Sequence, residues 1–466
     1  MSNRVKVTVN GNERLVRVGT LLSDVLNVEK PCGGHGLCGK CRVLVNGREE
    51  LACRYVIQSD IEVKLEAHGA ILSETGVEES GRLTDRLSLC LDLGSTTLAM
   101  ALVSIDERQA VRVITATNPQ RAFGADVISR IEYCRKHSVK RLQEVLVEEI
   151  NRMISLLGAE VETLYVSGNP TMLHTLFGVD CSSLGVAPYL PAFLEKKQAL
   201  ARELRIRGAK NVISLPSIAS FVGADIVAGL YWLGWPKGEK YDLLVDLGTN
   251  AEVVLYSGRG GVATSAAAGP CFEGANVSCG MSATAGAISS FSLNYGHTSL
   301  KTVENAQAKG ICGTGLIDVI AELLRNGIID ETGYLDEPYP ICDGVLLTGE
   351  DVRQYQLAKS AVSAAILSLM RREGIGFDDI AHLYLSGGFS ARIDLANAAI
   401  GGLLPRELVP VAESIGNSSL LGTVKYACEG GDLEGLTERI SFVDLSSDPC
   451  FAELFVENMS FSDALS

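Results

Sequence analysis

The sequence predicts two kinds of structure in one chain: a small strand-rich α+β unit at the N-terminus, then a larger α/β body built twice. Three observations predict it. Over residues 3–66 short alternating apolar runs are separated by Asn-Gly pairs. From residue 87 onward, strand-like and helix-like stretches alternate to the end. The body also repeats itself. "LCLDLGSTTLAMALV" (89–103) echoes "LLVDLGTNAEVVLYS" (243–257), and "LYVSGNPTMLH" (164–174) echoes "LYLSGGFSARI" (383–393). The echoes come in the same order, which points to a duplicated fold with two lobes.

The elements of the head follow from period-2 patterning. "RVKVTVNG" and "ERLVRVG" read as two strands around an Asn-Gly turn, the residue pair that a tight hairpin favours. "TLLSDVLN" carries the apolar spacing of one short helix. "CRVLVNGREELAC" gives a strand, a second Asn-Gly turn and a return, and "IEVKLE" closes the sheet. Residues 67–86 lose the pattern and read as a tether. The domains are therefore expected at 1–66, a linker at 67–86, and a body at 87–466 with lobes of about 87–240 and 241–466.

The chain has 466 residues, 47% of them hydrophobic and 21% charged, the balance of a soluble globular protein. Residues 274–300 carry no charge, but they are rich in Gly, Ser and Ala. A membrane span needs mostly apolar residues, so a Gly-rich loop region is expected instead. "MSNRVKVTVN" has no apolar signal core, and a cytoplasmic location is expected. The net charge of −15 argues against nucleic acid as a partner. The charge is uneven: residues 1–66 sum to +2, so the rest carries −17.

Thirteen cysteines are present. Most, such as Cys90 and Cys312, are expected to be small buried apolar residues. Cys32, Cys38, Cys41 and Cys53 are different, with spacing C-x5-C-x2-C-x11-C. Thiolates suit zinc or an iron–sulfur cluster. Structural zinc sites use two tight C-x2-C pairs, and only one is present. The first three cysteines lie on one loop, "CGGHGLCGKC", whose glycines let backbone N–H groups approach the sulfurs of a cluster. His35 in that loop reads as surface. The segment resembles the plant-type and vertebrate-type [2Fe–2S] ferredoxins, which implies a β-grasp-like domain with a cluster on these four cysteines.

In the body, Asp92-Leu-Gly94-Ser95-Thr96-Thr97 lies between two strands rather than between a strand and a helix, so it is not a Walker loop. A tight glycine turn of this kind can aim N–H groups at phosphate, and the Asp can hold Mg²⁺. Asp246-Leu-Gly248-Thr249-Asn250 offers the same groups from the other lobe. In "SGGFS", Gly387 and Gly388 leave room for a nucleoside against backbone. One such turn alone would be only a turn; the set in order resembles the superfamily of acetate and sugar kinases, heat-shock-protein ATPases and actin. That resemblance implies a two-lobed actin-like (ribonuclease H-like) ATPase fold binding ATP and Mg²⁺. It places Asp92 and Asp246 at the metal and the attacking water, Gly94, Ser95, Thr96, Gly248, Thr249 and Asn250 at the phosphates, and Gly387 and Gly388 at adenosine. The helices near "GADIVAGL" (223–230) and "GTGLIDVIAELL" (313–324) resemble its interlobe connectors.

A [2Fe–2S] head on this body resembles the reductive activators of corrinoid-dependent enzymes. "NPQRAFGADVISRI" (118–131), "GNPTMLH" (168–174), "GPCFEGANVSCGM" (269–281) and "FVENMSFS" (455–462) carry the match. The resemblance implies ATP-dependent transfer of one electron from the cluster to Co(II), restoring Co(I). It implies a corrinoid protein as acceptor, a low-potential electron donor, no membrane, and room for a homodimer. Well-known members have a further middle domain used in dimerisation, whereas here a short tether joins head and body. Glu273 and Asn276 are candidates for partner or phosphate contact, or simply a capped loop. "FGADVI" (123–128) reads as helix packing or cleft lining. Three other functions fit the same motifs: activation of another low-potential metalloenzyme, a redox-sensing small-molecule kinase, and an actin-like filament protein.

Overall fold

The computed structural model describes residues 4–9, 12–26, 28, 41–64, 77–388 and 390–461. In the N-terminal unit, β1 (Arg4–Val9) and β2 (Asn12–Arg17) form the expected antiparallel hairpin. The short helix is a single 3₁₀ turn, Leu22–Asp24. β3 (Arg42–Val45) and β4 (Arg48–Leu51) pair through Asn46 and Gly47. Both turn residues have left-handed φ, 50° and 80°, as a two-residue hairpin turn with strand-matched twist requires. β5 (Ile61–Lys64) runs parallel to β1 and antiparallel to β3, giving the order β2-β1-β5-β3-β4. The alternating residues Val43, Val45, Ile61 and Val63 turn inward onto Leu22 and Ile57, and Cys41 and Cys53 are buried in the same small core.

The tether expectation needs correction over its second half. Residues 77–86 lie along the third strand of the first lobe. Glu79 bridges to Ala110, the Gly81 N–H donates to the Ala110 carbonyl, and the Val113 N–H donates to Glu79 Oε1 at 2.7 Å. The sequence there is polar because one side faces water, not because the chain is unattached.

The first lobe begins with the meander β6 (Leu87–Leu93), β7 (Thr97–Ser104) and β8 (Gln109–Thr117). α1 (Val127–His137) and α2 (Lys140–Leu157) follow. Asp126 and Ser129 form a reciprocal capping box that fixes the start of α1. β9 (Val161–Gly168) then pairs parallel to β6. α3 (Pro170–Phe177) is capped by Asn169 with Pro170 at its first position. β10 (Lys197–Leu200) and β11 (Ala209–Ser214) complete the order β10-β11-β9-β6-β7-β8, and α4 (Ala224–Leu233) leaves the sheet.

The second lobe repeats this plan. β12 (Tyr241–Leu247), β13 (Ala251–Ser257) and β14 (Gly260–Ala266) form the meander. An insertion follows: β15 (Ala287–Asn294), β16 (His297–Thr302) and β17 (Gly310–Ile311) make a small sheet, α5 (Gly313–Arg325) packs on β15, and β18 (Tyr339–Cys342) pairs with β19 (Val345–Leu347). The uncharged stretch 274–300 is thus a loop only in its first half; the rest is a hairpin. α6 (Gly349–Glu373) leads to β20 (Ile380–Ser386), parallel to β12, then α7 (Leu395–Ile400) and β21 (Ala412–Gly416). α8 (Ser418–Glu429), α9 (Leu433–Thr437), β22 (Ile440–Phe442) and α10 (Pro449–Glu457) end the fold. In the sheet order β21-β20-β12-β13-β14-β22 the first five strands match, strand for strand, the last five of the first-lobe sheet.

The sequence placed one connector correctly and one not. α4 packs against α8, whereas α5 packs within the second lobe on β15 and α7. α4 and α8 approach to backbone contact: a side chain at Gly422 would overlap the Ala228 carbonyl, and one at Gly229 would meet Ser418.

Candidate functional site

The turn after β6 and the turn after β12 open into one cleft. Its lining includes all ten residues expected at the nucleotide: Asp92, Gly94, Ser95, Thr96, Asp246, Gly248, Thr249, Asn250, Gly387 and Gly388. Repetition explains how distant segments meet. Asp92 stands in register with Ser167 on β9, and Asp246 with Ser386 on β20. Each parallel strand then ends on a left-handed glycine, Gly168 (φ 152°) and Gly387 (φ 116°). A Cβ at either would press on the carbonyl of the residue after the aspartate, Leu93 or Leu247. Gly388 has open space beside it.

The first turn is held from beneath. Asn118 donates to the Gly94 carbonyl at 2.8 Å, and its N–H donates to Thr96. Arg130, fully buried, donates to the carbonyls of Ser95 (2.6 Å) and Gly124 (3.0 Å). Burial holds its guanidinium down to about 9, with Arg121 nearby acting in the same direction. The "NPQRAFGADVISRI" stretch thus supplies supports for the turn; of its "FGADVI" portion, Val127 reaches the cleft wall. In the second turn Thr249 donates to Glu273 at 2.6 Å, and Glu273 lines the cleft. Asn276 does not: it is exposed, with a left-handed φ of 61°.

Sequence reasoning missed several cleft residues. Asp225 at the start of α4 and Glu252 on β13 join Asp92 and Asp246 as cleft carboxylates. Burial, then repulsion from Asp246 and Asp92, raises Asp225 to about 7. Burial and then Asp92 raise Asp246 to about 6, against one hydrogen bond from Ser386. Burial raises Glu252 well above the usual carboxylate range. Asn417 and Ser419 were also missed. They donate to the two oxygens of Asp92 at 2.7 and 2.8 Å. "GNSS" carries a helix-start signal, Asn before the first turn, but nothing local ties it to Asp92, 325 residues away.

A half-buried group of mutually repelling carboxylates fits a divalent cation. Among the described residues no three acidic, His or Cys side chains converge on one point. That suits Mg²⁺, which keeps several waters and takes one or two carboxylates together with phosphate oxygens. In the N-terminal unit, the Cys41 and Cys53 thiols stand 3.2 Å apart, both buried. Two thiolates on one tetrahedral zinc at 2.3 Å sit about 3.8 Å apart, so the spacing of this pair is near that of two ligands to one metal. Cys32, Cys38 and His35 lie outside the described residues.

Comparison with known proteins bears on this arrangement. Residues 240–465 match the C-terminal ASKHA domain of RACo, and residues 87–237 match the RACo middle region. The corrinoid activation enzyme RamQ of Eubacterium limosum is 30% identical over 80% of this chain and 70% of its own length. The chain belongs to the family of reductive activators of corrinoid proteins that carry an ASKHA ATPase domain. A Methanosarcina barkeri reductase of the Co(II) methylated amine-specific corrinoid protein is 26% identical over 75% of this chain and 71% of its own. The solved structure of a reductive activator for a corrinoid, iron–sulfur protein shares the fold, with TM-score 0.74 at 24% identity over 98% of both chains. The middle-region match falls on the first-lobe sheet, so that name covers β6 through α4 here.

Proposed function

We propose that this chain uses ATP binding and hydrolysis in the interlobe cleft to drive one-electron reduction of an inactive Co(II) corrinoid protein to Co(I). The observation that carries the reading is the convergence of all ten nucleotide-motif residues, from two lobes, on one cleft. Cys32, Cys38, Cys41 and Cys53 would hold a [2Fe–2S] cluster, which when bound supplies a low-potential electron near −400 mV. Asp92 and Asp246 position Mg²⁺ and the attacking water. Gly94, Ser95, Thr96, Gly248, Thr249 and Asn250 cradle phosphate, and Gly387 and Gly388 border adenosine. An uphill electron costs about 2.3 kcal/mol per 100 mV, so a gap of a few hundred millivolts is within the reach of nucleotide turnover. The nucleotide need not touch the electron. It changes how the lobes sit, and so how the body grips the corrinoid partner.

The test is spectroscopic. Anaerobic protein, a low-potential reductant, Mg²⁺–ATP and a Co(II)-corrinoid protein are mixed, and the Co(I) absorption is followed. Co(I) should accumulate with ATP and stall without it. Equal rates with and without nucleotide refute ATP dependence. Loss of Co(I) formation with retained reduction of another metalloprotein redirects the acceptor.

A further inference from the structure

α8 joins features that the fold otherwise keeps apart. At its N-terminus Asn417 and Ser419 hold both oxygens of Asp92. Between them, Ser418 hydrogen-bonds Ser386 at 2.7 Å, and Ser386 donates to Asp246 at 3.0 Å. Three consecutive residues therefore reach the aspartates of both lobes. The contacts are dry: Ser386, Ser418 and Ser419 are all less than 5% exposed. Ser419 and Thr423 also grip Ser167 on β9, each at 2.8 Å.

Farther along α8, Leu420 and Val424 share an apolar cluster with Ala110 and Val113 of β8 and with Val77. Val77 opens the strap, residues 77–82, that lies on β8 and connects to the cysteine-bearing unit. The strap is fixed there by Glu79 to the Val113 N–H, by the Gly81 N–H to Ala110, and by the Arg82 N–H to Glu107 at 2.6 Å. The same helix thus holds the cleft carboxylates at one end and packs at its side into the apolar cluster that Val77 also joins.

We propose that α8 is a lever through which occupancy of the cleft is transmitted to the strap, and so to the cysteine-bearing unit. It rests on the reading of the cleft as the Mg²⁺–ATP site. A cation drawn to Asp92 and Asp246 competes for oxygens that Asn417, Ser419 and Ser386 now hold. Those bonds loosen or the helix follows the carboxylates. Its glycine contacts with α4 leave no slack for α8 to slide alone, so the motion passes into the packing around Val77. This supplies two sites and one element packed toward both, the arrangement on which coupling between sites can be built.

Amide hydrogen exchange of the full anaerobic protein, with and without Mg²⁺–ATP, tests it. Mg²⁺–ATP should slow exchange in the cleft turns (94–97 and 248–250) and change exchange at Gly81, Arg82 and Val113 by at least about fivefold. In Val424→Ala, ATP turnover and cleft protection should persist while the strap response shrinks to within about twofold. Glu79→Ala, at an exposed position, removes the acceptor of the Val113 N–H; it should do the same and stands in if Val424→Ala does not fold. Cleft protection with an unchanged strap in the wild type overturns the lever. A full strap response in both variants overturns it as well. No protection in either place overturns the nucleotide reading on which it rests.

Discussion

Replacing Asp246 by Asn should make the protein more stable and less active, and the sign depends on pH. Asp246 is half-buried beside Asp92, with a hydrogen bond from Ser386 in its favour, and desolvation and then Asp92 raise its pKa from 3.8 to about 6. Because the folded state binds this proton more tightly than the unfolded chain, the group favours folding below about pH 4. That advantage is withdrawn as pH rises toward 6. Above about pH 7 the ionised carboxylate costs about 1.4 kcal/mol for each pH unit between 3.8 and 6, about 3 kcal/mol in all. This is an upper figure, since the repulsion is shared with Asp92 and Asp225. Asn keeps the acceptor for the Ser386 hydroxyl and discards the charge. In EDTA at pH 8, urea unfolding should show Asp246→Asn more stable by about 1–3 kcal/mol, and the gain should vanish by about pH 4. Added Mg²⁺–ATP should stabilise the wild type much more than the variant, and ATP turnover should fall by about 100-fold or more. A variant less stable than wild type at pH 8 without metal would refute the electrostatic account. Full turnover would refute the placement of Asp246 at the reaction.

Other substitutions probe separate parts of the framework. Gly387→Ala puts a side chain at φ 116° against the Leu247 carbonyl; it should cost about 2 kcal/mol or more in chemical denaturation and weaken nucleotide binding in calorimetry. Gly422→Ala wedges α8 off the Ala228 carbonyl of α4; a loss of about 2–4 kcal/mol is expected, read by the thermal midpoint. Cys53→Ser should abolish visible iron–sulfur absorption after anaerobic reconstitution while ATP turnover persists, because its core is separate from the cleft. Retained absorption would remove Cys53 from the ligand set.

The parts of the fold that could be read in advance are those where a local pattern is sufficient. The Asp-x-Gly turns were legible because β6 and β12 bury nearly every residue and then break at a glycine. The duplication was legible because both turns keep Asp-Leu-Gly and then a hydroxyl residue, and the two echoes come in the same order. Asn417 and Ser419 were not legible, since their partner is 325 or more positions away and only strand pairing brings it near. Asp225 and Glu252 carry no local motif that marks them, and only the fold brings them into the cleft. α5 was mistaken for a connector because its apolar stripe and glycine-rich start suit either role; its glycines in fact admit the Phe272 and Ile288 carbonyls. The tether looked unattached because backbone pairing along β8 leaves little trace in side-chain polarity.

Duplication alone would give two equivalent aspartates, and the structure does not leave them so. Both carboxylates are half-buried, yet among the described residues Asp92 accepts from Asn417 and Ser419, while Asp246 accepts from Ser386 alone. Those two bonds offset part of the burial cost at Asp92, whereas Asp246 faces both burial and the charge of Asp92. The groups that make the difference belong to α8, which follows β21 and has its counterpart in α4 after β11. α4 places the acid Asp225 where α8 places Asn417 and Ser419, so the two connectors treat the two turns oppositely: one adds negative charge, the other neutralises it with donors. On the proposed function, Asp92, with a donor on each oxygen, is the carboxylate that holds the cation. In the metal-free cleft, burial and the neighbouring carboxylates raise Asp246 to about 6 and Asp225 to about 7; on the proposed function these two are the candidates to take the proton of an attacking water. If that division holds, Asp92→Asn should chiefly weaken Mg²⁺–ATP binding and Asp225→Asn should chiefly lower kcat. The reverse pattern in steady-state kinetics would show that the asymmetry built by α8 does not set the roles.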